Sequence, residues 1–315
     1  MTFYTKKFYS LCLTLFLISI VTFGVFQILP GDPATIILGP DADPLQLEVM
    51  KQSLHLDTPI LTRYIDWVVN ALKGDLGISL RFHMPVGELL LSRIPVTASL
   101  AFITLLLTLL IGLPLGLFIV RYETYLGKII SILSQVNIAI PSFWMGILLI
   151  LLFSITLGLL PSGGYVTFTT NPIAWLESLF LPGLSIALGT SAVLVRYLKT
   201  AMLDELPKLY VQTARSKGLS EKIILNKHVF KNALIPTITI LGMLVIDILG
   251  GSIITENVFN LPGLGNLIIA AINSRDLPLI QGLTLYLGMV VAILNFIVDI
   301  LYSVIDPRIR VNGRN

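Results

Sequence analysis

Two carboxylates, Asp247 and Asp299, stand inside otherwise apolar runs. A pair of acids can share one proton and activate a water molecule, the chemistry of an intramembrane aspartyl protease. Val245-Ile246-Asp247-Ile248 lacks the G-x-G-D sequence such an enzyme requires. An acid in a membrane segment otherwise marks a polar path or hydrogen-bonds to neighbouring helices. Asp247 lies deeper in its segment. Asp299 lies near the end of its own, one turn after Asn295, with which it can form a polar cluster. His55, His83 and His228 are far apart, with neither an i, i+4 pairing nor metal-ligand spacing. They read as surface or packing residues, and no metal site is expected. Cys12 is the single cysteine, which excludes an internal disulfide, and it reads as a packing residue. No G-x-x-x-x-G-K-[ST] phosphate loop occurs. No constellation for catalysis is present, so the expectation is a chain that is not an enzyme and holds no cofactor.

The elements that carry these residues belong in a bilayer. The chain has 315 residues, of which 55% are hydrophobic and 12% charged. Soluble domains carry roughly 25% charged residues. Mean hydropathy is +0.88. Six segments are long enough to cross a membrane as helices: 8–29, 94–120, 129–159, 179–198, 234–254 and 279–304. The third and sixth are long enough to tilt or break. The first is too long for a secretory signal core, and no A-x-A-like site precedes Pro30-Gly31-Asp32-Pro33, so it reads as retained. Lys6 and Lys7 precede the first segment, Arg121 and Lys128 separate the second from the third, and Arg308, Arg310 and Arg314 follow the sixth. The alternate loops are poor in Lys and Arg, which puts both termini on the cytoplasmic side. Residues 30–93 then form a long external insertion. Asp43-Pro44-Leu45-Gln46-Leu47-Glu48 starts a helix running to about residue 54, and residues 59–72 form a second, amphipathic one, with Ile60, Tyr64, Trp67 and Val68 on one side. The insertion reads as a cap on the external mouth or a platform for an external protein.

A basic stretch lies between the fourth and fifth segments, with Lys199, Lys208, Arg215, Lys217, Lys222 and Lys227 among helix formers. Asp204-Glu205-Leu206-Pro207 has the residues of a helix start. Gly218 is a stop, and Arg215 and Lys217 suit the negative end of the helix. Leu206, Tyr210 and Ala214 share one face, and Thr213, Ala214 and Ser216 are small enough for another backbone to come close. Ser220 is the expected N-cap of a second helix that continues to Pro236. An amphipathic helix of this kind lies on anionic lipid or seats in a cleft of a soluble partner.

Tyr210-Val211-Gln212-Thr213-Ala214-Arg215-Ser216-Lys217-Gly218, followed by Asn232-Ala233-Leu234-Ile235-Pro236, resembles the EAA loop of ABC-importer permeases, in particular the oligopeptide/dipeptide/nickel branch. Gln-Thr-Ala stands where the general motif has Glu-Ala-Ala. The likeness covers nearly the whole chain: Leu29-Pro30-Gly31-Asp32-Pro33, Gly74-Asp75-Leu76-Gly77-Ile78-Ser79, Ile140-Pro141-Ser142-Phe143-Trp144, Glu256-Asn257-Val258-Phe259, Pro262-Gly263-Leu264-Gly265, Arg275-Asp276 and Asp306-Pro307-Arg308-Ile309-Arg310. The resemblance implies an all-α integral membrane protein of the type I importer fold, with six transmembrane helices and a helical external insertion after the first. The division is 1–93 (first helix and external segment), 94–305 (permease core with coupling loop 199–232) and 306–315 (cytoplasmic tail). It implies ATPase coupling through Tyr210, Gln212, Thr213, Ala214, Arg215, Lys217 and Gly218. ATP would bind partner subunits, and its turnover would rock the spans between inward-open and outward-open states.

The implied assembly is a heterodimer with a second homologous permease, two ABC ATPase subunits and an extracytoplasmic solute-binding protein. It lies in the bacterial cytoplasmic (inner) membrane, in contact with lipid and without nucleic acid. A di- or oligopeptide is the expected solute, with nickel or a metal chelate as the alternative and an ATP-independent secondary transporter as a remote one. Asp247, Pro141 and Trp144 are candidates for the translocation path, with packing the favoured reading of Trp144. Pro141 can bend or break the third segment, with Ser142 offering a hydroxyl to the freed backbone. Pro114 lies between Gly112 and Gly116, a small-xxx-small face for close helix contact.

Overall fold

The computed structural model describes residues 3–28, 43–53, 58–122 and 125–305, and within them the protein is helical. The helices are α1 (Phe3–Ile28), α2 (Pro44–Ser53), α3 (Ile60–Leu72), α4 (Val86–Arg121), α5 (Tyr125–Ala139), α6 (Ser142–Leu149), α7 (Pro172–Glu205), α8 (Leu209–Ser216), α9 (Glu221–Ile223), α10 (Phe230–Val258), α11 (Leu264–Asn273) and α12 (Leu277–Ile305). Helix α6 continues as a π-helical stretch, Ile150–Thr156, and α9 reaches α10 through another, Ile224–Val229. Five helices are long and apolar enough to cross a membrane, or six if α5 and α6 with its continuation count as one bent span. Leu29-Pro30-Gly31-Asp32-Pro33, His55 and the tail 306–315 lie outside the described residues.

The third expected segment is the one that departs most from a straight rod. Its halves bend by 108°. Pro141 lacks the N–H that would continue the helix, and its ψ of 140° turns the chain extended. Ser142 does not cap the new helix; its Oγ accepts from Thr255 Oγ1 at 3.5 Å.

The chain divides into two compact units, Met1–Pro95 with Asn266–Ile293, and Val96–Gly265 with Leu294–Asn315. In the first, Tyr64 and Trp67 of α3 pack around Phe23 of α1, with ring centroids 5.4 and 5.8 Å away. The Tyr64 hydroxyl shares a 2.8 Å hydrogen bond with Ser19 Oγ. Ile60, expected on this packed side, is 62% exposed. The buried Asp276 carboxylate accepts from Ser79 Oγ (2.5 Å), the Arg81 amide (3.0 Å) and the Leu279 amide (3.2 Å). It caps the start of α12 and pins the 79–81 turn there. Two stretches of the ordered motif set, Gly74–Ser79 and Arg275-Asp276, thus meet in space.

In the second unit α7 is the central helix, and most of its buried face is small or aliphatic. Helices α5, α6 and α10 pack on it. A Cβ on Gly112 would lie 2.7 Å from Leu194 Cδ2, and one on Gly116 would lie 2.8 Å from Leu198 Cδ2. The small-xxx-small face of α4 therefore admits two leucines of α7. The core gathers Leu100, Leu149, Leu181, Ile186, Ile248 and Phe259.

Candidate functional site

The basic stretch forms a short helix held by two long ones. Helix α7 runs on to Glu205 because Leu198 and Met202, a turn apart, remain buried on its inner face. Asp204 and Glu205 therefore end α7 rather than opening the next helix, correcting the expected start at Asp204-Glu205. Pro207 sits in the intervening turn, and α8 begins at Leu209. The Glu205 carboxylate clamps the turn, accepting from Lys208 Nζ (2.5 Å) and Tyr210 Oη (2.7 Å). Burial, then the Glu205 hydrogen bond, pushes the Tyr210 phenol above its usual value. It remains a neutral donor throughout the physiological range. Gln212 Nε2 donates to the Pro207 carbonyl at 3.1 Å.

The C-terminal end is equally well fixed. Gly218 has φ +78°, a left-handed conformation that favours glycine. Its amide donates to the Arg215 carbonyl (2.9 Å), and that of Leu219 to the Ala214 carbonyl (3.3 Å). This is the Schellman pairing. The Arg215 guanidinium bridges the turn to Glu221 with contacts of 2.6 and 3.3 Å. Ser220 is the N-cap of α9 by backbone alone, with no side-chain capping bond. From Glu221 the helical path is continuous to Val258, 38 residues, with Pro236 inside it.

The apolar stripe of α8 points inward. Val211 and Ala214 are buried among Leu198, Met202, Ile224, Leu225 and Val229, with Leu206 and Tyr210 partly buried beside them. Ala214 is therefore part of the chain's own core and not open to a partner backbone. The outward face carries Leu209, 79% exposed, with Gln212, Thr213 and Ser216 exposed one turn on. Arg215, Lys217 and Gly218 are also exposed. The core beneath this face joins α8 to Leu198 and Met202 of α7 and to Phe230 and Ala233 of α10.

The intramembrane candidates are all in the second unit. Asp247 is exposed on α10, and among the described residues it has no hydrogen bond or ion pair. Met243, Gly250 and Ile254 continue the same exposed stripe. Pro141 and Trp144 are exposed at the α5–α6 break. Asp299 is half-buried and has a partner, and Asn295 is exposed. Among the described residues no group of three His, Cys, Asp or Glu side chains comes together to hold a metal ion.

Sequence reasoning missed one site in this unit. The Glu256 carboxylate is fully buried, accepting from Thr97 Oγ1 (2.6 Å) and the Gly265 amide (2.7 Å). Thr97 Oγ1 in turn accepts from the Leu264 amide at 2.9 Å. Together they satisfy the amides that begin α11. Glycine at 263 and 265 is the local signal, since a Cβ at either would lie under 2.5 Å from Glu256 or the Ile253 backbone. Thr97 has no such signal.

Residues 108–311 match the family described as the binding-protein-dependent transport system inner membrane component, and residues 1–101 match its N-terminal region. A putative peptide transport system permease protein of Brucella abortus (strain 2308) is 40% identical over 296 residues, covering 93% of this chain and 94% of the relative. The oligopeptide transport system permease protein AppB of Bacillus subtilis (strain 168) is 37% identical, with 93% and 94% covered. The glutathione transport system permease protein GsiC of Escherichia coli (strain K12) is 35% identical over 306 residues, with 97% of both covered. Among solved structures, an inward-facing MetNI methionine ABC transporter chain matches with TM-score 0.56 and 20% identity, over 70% of this chain and 97% of that one, which identifies the fold. With its helical spans and its basic loop seated on α7 and α10, the chain belongs to the binding-protein-dependent transport system inner membrane component family: it is a non-catalytic, multi-pass permease subunit of an ABC importer.

Proposed function

We propose that this permease passes small peptides and that α8 is the knob on which an ATPase subunit docks. The observation that carries the solute is the naming of the similar permeases, whose cargoes are peptide, oligopeptide and glutathione, at full-length alignment. The docking role rests on Leu209, Gln212, Thr213 and Ser216, exposed on a helix whose opposite face and both ends are fixed. Tyr210 and Ala214 act from beneath by seating the helix, while Arg215, Lys217 and Gly218 shape its outer end. The translocation path runs past Asp247, Pro141 and Trp144, because a carboxylate with no partner among the described residues needs water or solute nearby. The loop charges support termini and coupling loop in the cytoplasm. The working assembly is a heterodimer with a second permease, two ATPases and an external binding protein.

The test is uptake in proteoliposomes holding the complete complex, with peptides and nickel offered as solutes. Peptide uptake should require ATP and binding protein. It should be lost in Gly218→Trp, whose side chain enters open space on the loop surface. Leu209→Arg, at an exposed helical position, serves if Gly218→Trp does not assemble. Asp247→Asn should lower peptide uptake in a complex that still assembles. Uptake without ATP, or of nickel but not peptide, would overturn the proposal.

A further inference from the structure

A groove of 530 Å³ opens between the adjacent ends of α4, α5 and α7, and no residue of α8 lines it. Lys128 and Lys199 line it together with Tyr122 and Ser131. Lys199 Nζ donates to Ser131 Oγ at 3.5 Å. A smaller groove of 160 Å³ shares Ser131 and Lys199 and adds Arg196. The Arg121 guanidinium lies 5.0 Å above the Tyr122 ring, at the rim. No Asp or Glu is among the described residues that line either groove. Two lysines facing one space repel each other, and an anion between them removes that cost.

The surroundings select the kind of anion. These are ends of helices long and apolar enough to span a membrane, and Tyr122 and Tyr125 are exposed there, as aromatic residues are at membrane interfaces. Ile132, in the groove, and Leu133 and Val136, further along α5, are exposed apolar side chains. Cations with a hydroxyl, aromatic rings and aliphatic side chains thus lie side by side, the partners suited to the phosphate, glycerol and acyl chain of a phospholipid. Gly127 helps to build the site: a Cβ there would lie 2.6 Å from the Tyr122 carbonyl oxygen, so the turn that presents Lys128 has no room for one.

We propose that this groove binds the phosphate headgroup of an anionic phospholipid, with Lys128 and Lys199 as the phosphate ligands and Ser131 as a hydroxyl donor. The test uses the full transporter complex in nanodiscs of phosphatidylcholine with and without phosphatidylglycerol. Lipid retained after transfer to detergent is measured by mass spectrometry. Phosphatidylglycerol should be retained over phosphatidylcholine, and Lys128→Ala/Lys199→Ala should weaken that retention about 30-fold. Lys73→Ala, at an exposed lysine after α3, should retain the lipid as the parent does. Equal retention in the double variant would overturn the proposal. Displacement of phosphatidylglycerol by excess inorganic phosphate would also overturn it, assigning the groove to a soluble anion. A double variant that keeps phosphatidylglycerol but loses its ATPase subunits would instead make these lysines part of a protein interface.

Discussion

One hydroxyl helps to seat α8, and its removal has a calculable effect. Tyr210→Phe deletes the 2.7 Å hydrogen bond to Glu205 and keeps the ring in the core. A hydrogen bond to a charged group contributes about 1.5–3 kcal/mol. Glu205 keeps its Lys208 contact in the variant. The lower end of that range, about 1.5 kcal/mol, is therefore the expected loss, equal to about a tenfold rise in the unseated population. Hydrogen exchange reads that population directly. Amides of α8 and of its Schellman turn should exchange about tenfold faster, while those of α7 around Leu194 are unchanged. Glu205→Ala should act similarly, and Tyr210→Phe should add little on top of it, since the two share one interaction. Because burial and Glu205 raise the Tyr210 pKa above 10.0, the contact is at full strength below pH 10. It is lost as pH rises through the raised value. Less than about a twofold change in α8 exchange, or an equal change in α7, would refute this account of the seating.

Two further outcomes follow from close contacts. Gly116→Val should drive Leu198 off α4, lowering stability by about 1–3 kcal/mol in a thermal unfolding assay in detergent. Leu198→Ala in the same chain should restore part of it, and failure of that rescue would mean the glycine serves another contact. Thr97→Val should destabilise by about 2 kcal/mol, through loss of the Glu256 contact and orphaning of the Leu264 amide. Thr97→Ser should remain near the parent, and a serine variant as unstable as the valine one would remove the hydroxyl from the explanation.

Much of α8 and its ends is legible because the determinants are local. Gly218 stops α8 by its own φ, and Arg215 and Lys217 flank that stop as read. The Gly112-x-x-x-Gly116 pair announces a close helix crossing without naming its partner. The 204–207 reading failed for an equally physical reason. Acid-acid-x-Pro is a good helix start in isolation, but two buried residues a turn earlier keep α7 helical to Glu205, and tertiary packing overrides the local signal. Asp276 entered the sequence analysis only as part of a motif; its capping of α12 and its bond to Ser79, 197 residues away, came from the structure.

The sequence alone determined that this chain lives in a membrane, which stretches are long and apolar enough to cross it, where α8 ends and which family's motifs it carries. Each of these depends on composition or on residues within a turn or two of one another. Tertiary structure decided which face of α8 is buried, how sharply the chain turns at Pro141, and that Thr97 completes the Glu256 cap. It also decided that Asp247 has no partner among the described residues. These depend on which surfaces meet, whether close in the chain as at α8 or 159 residues apart as at Thr97 and Glu256, where hydrophobic pattern specifies that a face is buried but not against what.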